Sequence, residues 1–86
     1  MQIQAAVIRE KGISFAVVAV KKYVVDNRNE AQSAVRGFGS AFPGMPVVLM
    51  AEDASGRPTY YGRPDIARFL SSVSPARFPW KRYTLN

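Results

Sequence analysis

Residues 13–25, ISFAVVAVKKYVV, constrain the fold more than any other part of the chain. Read as a strand, they send Ile13, Phe15, Val17, Ala19 and Tyr23 to one side and Ala16, Val18, Val20 and Val24 to the other. A strand with one wet face alternates apolar with polar residues, and this one does not, so both of its faces need cover. Residues 3–9 form a second strand pattern. Between the two lies Glu10-Lys11-Gly12, a short connection ending in the residue that takes positive φ without strain, so the spacing predicts a β-hairpin.

A helix start follows. Asn27 is placed to cap, and Glu30 stands three residues later, where the second half of a capping box belongs. Ala31, Ala34, Val35, Phe38 and Phe42 recur at spacings of three and four and make one apolar stripe. Gly37 and Gly39 each weaken this helix by up to about 1 kcal/mol relative to Ala. Their presence implies either close backbone packing or a frayed last turn before Pro43-Gly44 ends it. Residues 46–51 then read as a short buried strand, 52–56 as a polar turn, and 57–62 as a strand in which Pro58 requires an edge or a strand start. Pro64 and Asp65 open a second helix with the stripe Ile66, Phe69, Leu70 and Val73, which Ser74-Pro75 stops.

The expected fold class is α+β, in one domain spanning 1–86, with a core from about 3 to 73 and an aromatic, basic tail over 74–86. The expected order is β-β-α-β-β-α. The expected architecture is a mixed four-stranded sheet with two helices on one face and the tail packed at the sheet. Phe15, Val17, Val18, Phe38, Leu49, Ile66, Phe69 and Leu70 are the expected core.

Composition removes most chemistry. With no Cys and no His among 86 residues, the chain has no thiolate, imidazole base or imidazole ligand. The seven serines lack an activating partner, and the six carboxylates are dispersed. The one adjacent pair, Glu52-Asp53, points to opposite faces if the strand continues through it. The expectation is a protein that is not an enzyme, with no cofactor and no metal. The N-terminal residues lack a basic segment followed by an apolar core, and the longest apolar run falls short of the roughly 20 residues that span a bilayer. No membrane partner and a cytoplasmic location are therefore expected.

Residues 44–50, GMPVVLM, followed by a Gly-containing turn, a second strand and an amphipathic helix, resemble the closing β-β-α unit of thioredoxin-like proteins. The resemblance covers about a third of the 86 residues and makes Met45-Pro46 a candidate for a cis bond. It implies no redox activity, since the paired cysteines of that family are missing.

Two places point to binding. At Gly62-Arg63-Pro64-Asp65 a helix N-terminus meets Arg63 and, from the preceding strand, Arg57, which makes these two arginines an anion-binding candidate, although Asp65 competes for them. The tail interleaves Arg77, Lys81 and Arg82 with Phe78, Trp80 and Tyr83. Cations of this kind neutralise phosphates while rings stack on bases. The same rings are large enough to cover the second face of the apolar strand, leaving the cations at the rim. With a net charge of +6 and a pI near 10.2, the expected function is a small non-enzymatic protein that binds nucleic acid, RNA or single strands. Its expected contacts are Arg77, Trp80, Lys81, Arg82 and Tyr83. The alternative is a protein-interaction or homo-oligomeric assembly module, completed by a partner or second copy.

Overall fold

The hairpin forms as its turn chemistry dictates. Strands β1 (Gln2–Glu10) and β2 (Ile13–Ala19) pair antiparallel, with Glu10 opposite Ile13, so Lys11 and Gly12 alone make the turn. Both have positive φ, 51° and 80°, the requirement of a turn whose twist matches that of the strands it joins. A computed structural model describes residues 1–85 of the chain.

After β2 the chain turns helical six residues earlier than its apolar pattern implies. Lys22–Asp26 is a short helix, α1, held by an ion pair between Lys22 and Asp26. The i, i+4 spacing of that pair suits a helix, and it ends the strand predicted to run to residue 25. Asn27 then caps α2 (Arg28–Gly39), its Oδ1 accepting from the Glu30 N–H at 3.1 Å. A Cβ added at Gly37 or Gly39 would meet nothing within 4 Å, so neither glycine serves a close approach inside this chain.

Strand β3 (Val47–Glu52) lies parallel to β2, and β4 (Pro58–Tyr61) returns antiparallel to β3 at the sheet edge, where Pro58 is tolerated. The Met45–Pro46 peptide is trans. Gly62 ends β4 where a Cβ would lie 2.8 Å from Val48 Cγ2, so only glycine fits against β3 there. Helix α3 (Pro64–Ser71) follows, then a 3-10 turn, Pro75–Arg77, and the tail.

The fold class holds as a small α+β domain with a mixed sheet, and three details of the expected architecture need correction. The sheet has five strands in the order β4-β3-β2-β1-β5, because Lys81–Thr84 is a strand, β5, antiparallel to β1. Its register sets Gln4 opposite Arg82 and Ile3 opposite Tyr83. Backbone bonds between Met1 and Leu85 extend the ladder at its end. The element order gains α1 and β5. The two long helices also lie on opposite faces of the sheet. Ala31 and Phe38 of α2 pack with Ile3, Ala5, Ala16, Val18, Val47 and Leu49. Ile66 and Leu70 of α3 pack with the other parity of the same strands, Ala6, Phe15, Val17, Val48 and Met50. The physical reason lies in β2 and β3, which are apolar on both sides. A short tail cannot cover the second face alone, so α3 covers it with Phe78 and Trp80 beside it. Of the expected core, all are buried except Phe69, which is half-buried and meets Phe15 edge-to-face at 6.5 Å. No helix is long and apolar enough to cross a membrane.

Candidate functional site

Pleating decides what the tail can do. Within β5, Arg82 and Thr84 lie on the face carrying α3, while Lys81 and Tyr83 lie on the face carrying α2. The five expected contact residues are therefore divided between two sides of an edge strand instead of forming one platform. Both rings are engaged within the chain. The Trp80 indole Nε1–H donates to the Pro75 carbonyl at 2.9 Å, and its ring lies 5.7 Å from that of Phe78. Tyr83 meets Phe42 edge-to-face at 5.1 Å. The cations beside them, Arg77, Lys81 and Arg82, are exposed and form no ion pair among the described residues.

The two arginines of the anion candidate are each tied to a carboxylate. Arg63 grips Asp65 with both arms of its guanidinium, at 3.1 and 2.7 Å, which pushes the Asp65 carboxyl below its ordinary range and raises the Arg63 guanidinium further. Arg57 belongs to the β3–β4 turn, where its Nε lies 3.1 Å from Ser55 Oγ and 3.6 Å from Asp53. Asp53 organises that turn. Its Oδ1 accepts from the Ser55 hydroxyl and from the N–H groups of Ser55 and Arg57, and these bonds hold its pKa at about 2. The structure thus gives Arg57 and Arg63 separate local partners.

A different surface emerges at the end of the sheet where β2 gives way to α1. A groove of about 440 Å³ runs there, its lining made of the apolar residues Ile3, Ala19, Val20, Val24, Ala34 and Phe38 together with Met1, Gln2, Gln4, Lys21 and Tyr23. No carboxylate lines it. Tyr23 is 61% exposed, the most exposed of the described aromatic rings, and Met1 is 75% exposed. The sequence pattern hid this ring by placing it inside a strand. The signal that could have exposed it was the Lys21-Lys22 pair that ends the apolar run, with Asp26 one helical turn beyond Lys22. An adjoining hollow of about 450 Å³ shares Met1, Val24, Ala34 and Phe38 and has Glu30 in its lining. A third, of about 260 Å³, lies between the hairpin tip and α3, over Ile13, Phe15, Ile66 and Phe69.

Among the described residues, no group of three or more acidic side chains is placed to hold a metal ion. No protein-family model matches the chain, and it matches no curated protein or solved structure.

Proposed function

We propose that this protein is a non-enzymatic module that binds nucleic acid, RNA or single strands, by holding the phosphate backbone along the β5 edge. One observation carries the reading. Only three of the twelve Lys and Arg pair with a carboxylate among the described residues, which leaves nine cations against three carboxylates without an ion pair. A polyanion is the partner that such an excess attracts. Lys81 and Arg82 project from opposite faces of a four-residue edge strand, with Arg77 just upstream. That arrangement suits a backbone, whose charges recur along a line, better than a single anion.

The test is the salt dependence of binding to a single-stranded oligonucleotide. Replacing Arg77, Lys81 and Arg82 together by Gln is expected to flatten the log–log slope by up to about 0.7 per lost phosphate contact. An unchanged slope rejects the edge as the contact. Amide-shift mapping with a mixture of oligonucleotides locates the face in the same sample.

A specific observation favours self-association as the second reading. Strand β1 continues to Glu10, but β5 pairs only with residues 2–5, and Val7 beyond that ladder is 37% exposed. The remaining edge is open to a strand from a second copy. A dimer in light scattering that persists in high salt would support this reading over the first.

A further inference from the structure

The rings of the tail are occupied within the fold, so a nucleic-acid partner must find its base contacts elsewhere. We propose that the Tyr23 groove is the seat of an unpaired base, with the ring of Tyr23 as the stacking surface. This rests on the nucleic-acid reading above and adds to it the place where a base, rather than a phosphate, is held.

A nucleotide has three chemically distinct parts, and the groove meets each of them. The flat apolar face of a base takes an exposed aromatic ring, and Tyr23 is the described ring most available to one. The polar rim of a base takes groups that both donate and accept. Gln2 and Gln4 belong to the lining, and an amide, of backbone or side chain, offers both. The phosphates on either side take cations. Lys21 lines the groove, and Lys81 projects from β5 on the face that carries its apolar lining. The absence of any carboxylate from this lining removes the repulsion that an anionic chain would otherwise meet. The groove's volume of about 440 Å³ falls in the ~300–1,000 Å³ range of small-ligand sites, and most of its lining is apolar.

Geometry also joins the seat to the edge. Gln4 pairs with Arg82 in the β1–β5 ladder and also belongs to the lining of the groove, so the seat and the edge share a residue of β1. Unpaired nucleotides are required, because a base held in a duplex cannot leave its stack to reach the ring.

The experiment compares two probes on the intact protein, an eight-nucleotide oligouridine RNA and an abasic oligomer of the same length and charge. Tyr23→Ala is expected to weaken binding of the RNA about 5- to 150-fold, the equivalent of about 1–3 kcal/mol at ~1.4 kcal/mol per decade. The same variant is expected to leave abasic binding and the thermal midpoint unchanged. Tyr23→Phe, which keeps the ring, should bind both probes like the parent protein. Equal weakening of both probes by Tyr23→Ala, or no weakening of either, overturns the base seat while the charged edge stands on its own salt slope. Failure of the parent protein to bind either probe overturns the edge and the seat together. Binding of the abasic oligomer as tight as that of the RNA shows that no base is read and overturns the seat alone.

Discussion

Residues 21–23 and residues 77–83 both set aromatic rings among cations, yet the structure treats them in opposite ways. In the second segment the rings serve the fold. Trp80 is tied by its Nε1–H to Pro75 and leans on Phe78, and Tyr83 closes against Phe42. In the first, Tyr23 is 61% exposed and lines a groove free of carboxylates. The difference arises in the backbone. Pairing with β1 turns Tyr83 onto the face that α2 covers, whereas the five-residue α1 buries none of its residues and leaves one side of its single turn to solvent. An aromatic–cation pattern in sequence therefore identifies candidates, and the local secondary structure decides which ring is free.

That contrast can be broken by measurement, beginning where the effect is largest. Leu70 is fully buried on the face that Trp80 helps to cover, and Leu70→Ala is expected to destabilise the fold by about 2–5 kcal/mol in denaturant unfolding. A change near zero would mean that α3 does not cover that face, and Trp80 would lose its structural role with it. Trp80→Ala is expected to cost about 2–3 kcal/mol, less than a fully buried Trp because Trp80 is only partly buried, whereas Tyr23→Ala should stay within about 0.5 kcal/mol. Equal costs for the two would erase the distinction between them. Indole emission should be blue-shifted in the native protein and should not respond to oligonucleotide.

Smaller effects sharpen the same comparison. Gly37→Ala in α2 is expected to add about 0.5–1 kcal/mol of stability, because the space around it is open and helix propensity alone acts. It should leave oligonucleotide binding unchanged, since Gly37 lines the adjoining hollow and not the groove. Acid separates stability from binding as well. Asp53 has its pKa lowered from 3.8 to about 2 by the bonds it accepts, so its contribution is present in full above the unfolded value and is lost as pH falls from about 4 toward 2. Asp53→Asn should reduce the loss of stability over that interval. No His is present and no carboxylate lines the groove, so oligonucleotide affinity should stay flat between about pH 5 and 7.

Most of the fold was legible because local rules agreed with one another. Lys11-Gly12 specified the hairpin, Asn27 and Glu30 specified the start of α2, and Pro64 specified the start of α3. The doubly apolar β2 required two covered faces, but periodicity carries no information on which helix takes which face, and the tail was assigned cover that α3 supplies. Residues 81–84 lack a strand's alternation and become one only by finding the open edge of β1, a pairing across nearly the whole chain. The site was less legible still. Arg77, Lys81 and Arg82 were identifiable by charge, but Tyr23 was not, because apolar residues at 17–20 and 23–25 continue the strand pattern through a helix of one turn.

The β1–β5 ladder has a consequence for how the molecule comes into being. Met1 and Leu85, joined by backbone hydrogen bonds, stand 84 positions apart, so β1 emerges well before the strand that becomes its second neighbour. The hairpin closes through two residues and can form while the chain is still emerging. Closing the outer ladder means surrendering the freedom of the whole intervening loop, and contacts of that span slow folding. Until that moment the whole outer edge of β1 is unpaired, a template for any other extended chain nearby. The closing strand carries Lys81 and Arg82, so the segment that seals the sheet also brings two cations to its rim, and a polyanion bound there would favour the sealed form over the open one.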